Sequence, residues 1–306
     1  MPSKIQKVMV IGASGSTGVP IVHALLAAGF TVSVLARESS TATYPAQVQA
    51  FKTDYTPESL ERALQGQDAV VSTITTTSVA MQTSIIDAAI AAGVQRFIPS
   101  EFGIDTAVPG ISDVVTALAA KVATAQYLQS KEATGLEWTG LATGELFDWA
   151  FHFGVFGWDV KHGKVTVFDG GEQEVEATTL AQLSRAVVAI LGEEQREATK
   201  NRYVYVNSFT VTQKEVLEII GTLMPGVDIE ITKVKTEELG KAGVEKLASG
   251  DAQAAQMGVF EVITAAVYGF GGANNYSKSR GLWNQKLGLP REDLREVLEG
   301  IVRDYA

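Results

Sequence analysis

Cysteine is missing altogether from this 306-residue chain. Its absence removes disulfides, thiolate nucleophiles and cysteine metal ligands, and is compatible with a reducing compartment. Histidine is nearly as scarce. His23, His152 and His162 are scattered and never take metal-ligand spacing, so no metal site is expected. Positive charge is in deficit too: 25 Lys and Arg face 35 Asp and Glu, a formal net charge of −10. A nucleic acid needs concentrated basic surface, which short clusters such as Lys161–Lys164 and Lys278–Arg280 do not supply. No uninterrupted apolar run approaches the ~20 residues that span a bilayer, and the first residues lack the apolar stretch of a signal peptide. A cytoplasmic, soluble chain acting on a small molecule is expected, as monomer or homodimer, with neither nucleic acid nor membrane as partner. The hydrophobic share, 46%, suits an ordinary globular core in one elaborate domain or two.

What is present is organised around the N-terminal stretch. Val8-Met9-Val10-Ile11 reads as an apolar strand, Gly12-Ala13-Ser14-Gly15-Ser16-Thr17-Gly18 as a glycine-rich turn, and the run through Ala28 as an amphipathic helix capped by Gly29. Ile21, Val22, Leu25 and Leu26 share one helix face. A strand–turn–helix of this kind is a place for a pyrophosphate: glycines let the backbone approach, and the helix start presents unpaired N–H groups and a positive dipole end. A glycine pattern alone is weak evidence, since any tight turn favours glycine; its context at the head of a βαβ unit carries the dinucleotide reading.

Further strands are expected at Thr31–Ala36, Val48–Phe51, Asp68–Ser72, Gln95–Pro99 and Leu136–Leu141. Helices are expected at Thr56–Leu64, with proline at its first position, at Val79–Ala92, and over a long segment from Asp113 to about Ala133. That last helix would bury a stripe of Val114, Val115, Leu118, Val122 and Ala125. Strands alternating with helices imply an α/β fold, a doubly wound parallel sheet of the Rossmann kind. The expected division is a nucleotide-binding domain over 1–150, joined by 178–207, and a smaller α/β substrate-binding region over 151–306, the chain crossing between them. In the second part, strands are expected at Val165–Phe168, Tyr203–Val206 and Asp228–Thr232, with helices opening at the capping-box spacings Thr179…Gln182 and Thr212…Glu215. Helices over Thr236–Ala248, Asp251–Tyr268 and Glu292–Tyr305 follow, with 269–275 as a mobile-looking loop.

The end of the second strand bears on the cofactor. An NAD site usually places Asp or Glu there; this chain has Ala36-Arg37-Glu38-Ser39-Ser40. An arginine can fork onto a 2′-phosphate, which favours NADPH (NADP). Arg37 read as plain surface charge, and Glu38 turned in towards the ribose, are the competing readings. Asp54 could meet the adenine amino group or simply turn its loop, and Thr73 and Thr75 could line the cofactor or satisfy loop backbone. Tyr127 and Lys131 match a Tyr-x-x-x-Lys pair, yet Lys131 lies at the far end of its helix, about 15 Å along the axis from Lys121 at 1.5 Å per residue. Lys121, among Ala119, Ala120, Val122 and Ala123, is the alternative proton carrier, because a lysine in small apolar surroundings can have its pKa lowered. A surface lysine is the competing reading. The aromatics from Phe147 to Trp158 could form a pocket for a ring-bearing substrate or the core joining two lobes.

The turn with its G-x-x-G-x-x-G spacing, Leu35-Ala36-Arg37-Glu38-Ser39, and above all Arg96-Phe97-Ile98-Pro99-Ser100-Glu101-Phe102-Gly103 resemble the NmrA-like, isoflavone-reductase-like branch of the atypical short-chain dehydrogenases, in its fungal CipA-type form. The likeness is strongest from residue 5 to about 150 and looser beyond. It implies an NADPH-dependent oxidoreductase of secondary metabolism, Lys121 as the catalytic residue and Arg37 on the 2′-phosphate. Ser100, Glu101 and Phe102 would lie beside the nicotinamide. The plant reductases carry a Ser-Asn-Cys-Phe-like stretch after the sixth strand where this chain has Thr143-Gly144-Glu145-Leu146, so the resemblance does not extend to the substrate. Thr143, Gly144, Phe147, Phe151 and Trp158 are the candidate substrate contacts. Reduction of an aromatic or apolar small molecule is the expected activity; a non-reductive isomerase or cyclase with recycled cofactor, and a non-catalytic NADP(H)-sensing regulator, are its rivals.

Overall fold

Strands that are apolar on both faces cannot lie against water on either, and this dictates the architecture. In β1 (Lys7–Ile11), Val8 and Val10 enter one core cluster while Met9 and Ile11 enter another. The same division holds in β4 (Ala69–Ser72), with Val71 on one side and Val70 on the other. The computed structural model, which describes residues 4–269 and 273–305, covers both faces with helices. β2 (Thr31–Arg37), β3 (Gln49–Thr53), β5 (Arg96–Ile98) and β6 (Glu137–Ala142) complete the first half of the sheet, linked through α1 (Gly18–Ala27), α2 (Pro57–Leu64), α3 (Gln82–Ala91), the short α4 (Ile111–Val114) and α5 (Ala119–Ser130).

The second half of the chain contributes β7 (Glu145–Leu146), α6 (Phe147–Phe153), β8 (Lys164–Phe168), β9 (Val175–Thr178), α7 (Leu180–Leu191), α8 (Glu193–Thr199) and β10 (Arg202–Tyr205). Then follow β11 (Phe209–Val211), α9 (Gln213–Leu223), β12 (Glu230–Val234), α10 (Thr236–Ala248), α11 (Ala252–Gly269), α12 (Tyr276–Ser279) and α13 (Leu294–Arg303). The main sheet runs β10-β6-β5-β4-β1-β2-β3, every neighbour parallel. This is the expected doubly wound α/β fold. The chain leaves β1 in one direction to β3 and returns at β4 in the other, so a crevice opens beyond the carboxyl ends of β1 and β4. β10 and α7 come from the second half, yet β10 closes the sheet beside β6 and Leu183, Val187 and Ile190 of α7 pack with Ile21 and Leu25 of α1. Two small sheets, β11-β9-β7 and β12-β8, surround a separate core that includes Phe147, Phe151 and Trp158.

Local signals placed most boundaries. Thr56 precedes Pro57 at the start of α2, and α9 opens on a complete capping box between Thr212 and Glu215. At α7 only half of that device forms: Thr179 accepts from the Gln182 N–H, while the Gln182 side chain donates to the Pro290 carbonyl. The long helix expected over 113–133 is broken. Val115, at φ −114° and ψ 75°, ends α4, and a 3-10 turn over Thr116–Leu118 precedes α5. The β-branched run Val114-Val115-Thr116 disfavours continuous helix. The break buries Val115 and Leu118 and turns Val114 outward, 53% exposed, so Val114 leaves the expected stripe. It also places Lys121 in the first turn of α5. The expected mobile loop is corrected at its described end, where Ala273, Asn274 and Asn275 are buried and the Ala273 and Asn274 carbonyls accept from Asp105 and Glu176 N–H; residues 270–272 lie outside the described residues.

Because α7 completes the core on one face of the main sheet, Leu183→Ala should lower stability by about 2–5 kcal/mol, read as a fall in the urea midpoint. Val114→Ala, at the outward-turned position, should leave that midpoint unchanged.

Candidate active site

At the crevice the glycine turn is shaped by contact. Gly12 has φ +82°, and a Cβ there would meet the Thr73 carbonyl oxygen at 2.7 Å; a Cβ on Gly18 would meet the Gly12 oxygen at 2.3 Å. Both positions admit glycine alone, which presses the helix start against the strand end. Gly15, Ser16 and Thr17 are left on the open side, where they line a cavity of about 340 Å3 with Thr73, Thr75, Ser100, Glu101, Phe102 and Lys121. Thr17, ahead of α1, makes no side-chain cap. Within the turn, Val19 N–H is bonded to the Gly15 carbonyl at 3.0 Å, and Gly15 N–H to the Gly12 carbonyl at 2.9 Å. Ser14 is exposed at the tip of the turn, outside the lining.

The hydroxyls at the strand ends are partly committed. Thr73 Oγ1 donates to the Ile11 carbonyl at 2.9 Å, tying β4 to β1, and Thr75 Oγ1 pairs with Thr77 at 3.1 Å. Ser100 Oγ donates to the Ile74 carbonyl at 2.6 Å. Arg37 is exposed at the end of β2 and, among the described residues, enters no ion pair, which leaves its guanidinium available to an anion. Glu38 is exposed and spends its N–H on the Thr53 carbonyl. Asp54 is engaged locally: it accepts from the Thr56 N–H at 3.1 Å and the Thr56 hydroxyl at 2.8 Å, and these bonds lower its pKa. This is the loop-turning role, ahead of α2.

Beyond the turn, Phe102 takes φ +26°, a conformation that costs a residue with a side chain on the order of 1–3 kcal/mol. It brings Glu101 under Lys121. The Lys121 Nζ donates to the Glu101 backbone carbonyl at 2.5 Å, with the side chain buried. Burial lowers the Lys121 pKa, and the nearby Glu101 carboxylate opposes that shift. Burial likewise raises the Glu101 pKa, against Lys121 and a hydrogen bond from Thr106. Thr106 also meets the Tyr203 hydroxyl at 2.9 Å, so a polar chain leads from Glu101 to the sheet. Tyr127 and Lys131 stand elsewhere: Tyr127 donates to Asp87, Lys131 lies 3.7 Å from the same carboxylate, and neither borders the cavity.

Lys121 also borders a second, inner cavity of about 160 Å3, walled by Phe102, Leu118, Leu146, Trp149, Phe156, Phe260, Ile263 and Val267, with Gly144 and Glu145. Thr143 is buried behind Gly144, and both donate their N–H to the Gly103 carbonyl at 2.9 Å. Phe147, Phe151 and Trp158 border neither cavity. They form the second core, with Phe151 and Trp158 stacked at 4.9 Å between ring centroids. The cavity wall is drawn instead from Trp149 and Phe156 of the same aromatic run, and from Phe260 and Ile263 of α11. Spacing could have sorted the run: Phe147 and Phe151, four apart on α6, share a face, and Trp149 lies on the other. Nothing local marks α11 as a pocket wall.

The NmrA-like family profile matches residues 4–287. The chain belongs to the NmrA-like family. Among curated relatives, Oxidoreductase aprR of Aspergillus flavus is 35% identical over 97% of this chain and 99% of its own length. Among solved structures, AtPrR2 with NADP+ and (+)-pinoresinol superposes with a TM-score of 0.75 at 21% identity, covering 98% of this chain and 100% of the other. The binary complex of leucoanthocyanidin reductase with NADPH from Vitis vinifera superposes with a TM-score of 0.74 at 18% identity, covering 97% and 99%. Arg37 stands exposed at the end of β2. Arg37→Ala is expected to weaken NADPH binding about 10–100-fold, the worth of a charge-assisted bond. NADH binding should be unchanged, with both measured by fluorescence titration.

Proposed function

We propose that this chain is an NADPH-dependent reductase of an apolar or aromatic small molecule, with Lys121 carrying the proton. The observation that supports this most directly is that one buried cation borders both cavities, the one at the glycine turn and the apolar one behind it. The glycine positions that exclude a Cβ, the open hydroxyls of Ser16 and Thr17 and the exposed Arg37 together fit a dinucleotide phosphate chain. When bound, NADPH supplies a hydride.

The residues of the chain supply the rest. Gly15, Ser16 and Thr17 would hold the pyrophosphate, and Ser100 and Phe102 would border the nicotinamide. Leu146, Trp149, Phe260 and Ile263 exclude water from the reacting carbon, which protects a hydride acceptor and strengthens nearby electrostatics. The Glu101 carbonyl fixes the Lys121 ammonium, so that its proton is aimed rather than freely rotating. Desolvation makes that ammonium a stronger acid than one in water, and the neutral amine left after transfer is the form a buried site prefers. Hydride to carbon and this proton to the atom that gains the electron pair complete a reduction. A cation retained at such a cost in burial also argues for chemistry over simple cofactor sensing.

Lys121→Met should reduce turnover by about 10²–10⁴, the usual contribution of a positioned acid, and leave NADPH affinity nearly intact. Turnover at the wild-type level would overturn the assignment. The same variant should be no less stable than wild type near neutral pH. The sign follows from linkage: with the folded-state pKa of Lys121 lowered, the unfolded chain binds more protons below the ordinary lysine pKa, so burial of this group costs stability there. Urea melts of both proteins read this directly.

A further inference from the structure

The inner cavity contains a second ionisable side chain that the reduction as described does not use. Glu145 borders it, is 3% exposed, and sits among apolar walls. Among the described residues it enters no ion pair; the cation that shares the cavity, Lys121, is bound to the Glu101 carbonyl. Two donors from different elements instead grip the carboxyl: Trp158 Nε1 donates to Oε1 at 2.9 Å, and the Tyr268 hydroxyl donates to Oε2 at 2.7 Å. A buried carboxyl with no counter-ion is cheaper neutral than charged. Burial raises its pKa to about 8 against the pull of those two bonds. Near neutrality it therefore holds a proton. The other groups around it do not compete for that role: burial raises the Tyr268 pKa well above its ordinary value, and the neighbouring Glu176 spends its carboxylate on Asn207, Thr210 and the Ser277 N–H.

The position is also built in by the backbone. Gly144, at φ +65°, passes so close to the Glu176 carbonyl that a Cβ would lie 2.1 Å from its oxygen. That close approach sets β7 against β9, with Glu145 opposite Ala177, and delivers the side chain between Trp158 and Tyr268. A polar group held this firmly at the wall of an apolar pocket is how a pocket fixes ligand orientation.

We propose that Glu145 is a substrate-contacting residue whose carboxyl donates a hydrogen bond to an acceptor oxygen, a carbonyl or ether, on the substrate in the inner cavity. The substrate class is then a compact apolar skeleton carrying such an oxygen, and a hydrocarbon of the same shape is discriminated against. The proposal rests on the reductase reading for the identity of the pocket. Its test reads binding and not turnover, so that failure of one is seen apart from failure of the other.

The test compares acetophenone with ethylbenzene, which share a skeleton and differ by the carbonyl, in calorimetric titrations of the NADP+-loaded protein. Wild type should bind acetophenone about tenfold more tightly at neutral pH, the scale of one buried hydrogen bond. The preference should fade as pH rises through about 8. Glu145→Gln, whose amide still donates, should keep the preference and lose the pH step, which a purely structural role for Glu145 would not produce. Glu145→Leu should abolish the preference. Equal affinities for the two probes in wild type, no binding of either, or a pH step that persists in Glu145→Gln would each overturn the proposal.

Discussion

A sheet buried on both faces has no side on which to carry chemistry, and this constraint shapes everything else in the molecule. Val8 and Val10 are committed to one core, Met9 and Ile11 to the other. Function is forced to the strand ends, and the reversal of strand order between β1 and β4 is the place where those ends leave a gap. Gly12 and Gly18 allow a helix to begin inside that gap, while Thr73 ties its two edges together. Each residue proposed to meet the cofactor lies within a few positions of a strand end for this reason.

The polar groups of the site are expensive in the same sense. Lys121, Glu101 and Glu145 are all buried, and burial moves each towards its neutral form. Their partners differ in kind. Lys121 binds a backbone oxygen, Glu101 a threonine hydroxyl, and Glu145 an indole and a phenol. Among the described residues, none of the three enters an ion pair. Arg96 offers the contrast: fully buried under the same sheet, it is paired with Glu137 at 3.2 Å and bonded to Thr139. That arginine holds β5 to β6 and stays out of the crevice.

The second half of the chain has two duties. With β10 and α7 it finishes the main sheet and its core, and with β7, α6 and α11 it walls the inner cavity. The aromatic run is divided between these duties by helix geometry. Phe147 and Phe151 face the second core with Trp158, while Trp149 turns to the crevice and meets Phe260 of α11 at 6.5 Å between ring centroids. The pocket is thus made by elements more than 100 residues apart in sequence.

What the sequence by itself determined was local: the strand–turn–helix with its three spaced glycines, the alternation of strands and helices, the proline and capping residues at the starts of α2 and α9, and Lys121 as a cation among small neighbours. These are readable because propensity, periodicity and steric need act over a few residues. Tertiary structure alone decided which side chains meet. It set Lys121 against the Glu101 carbonyl, buried Asn274, and gathered Phe147, Phe151 and Trp158 into one core with Phe209 and Leu298. It also set Glu145 between Trp158 and Tyr268 and brought Phe260 and Ile263 to the cavity. No short-range pattern encodes such meetings, because they follow from how whole elements pack once their apolar faces are buried.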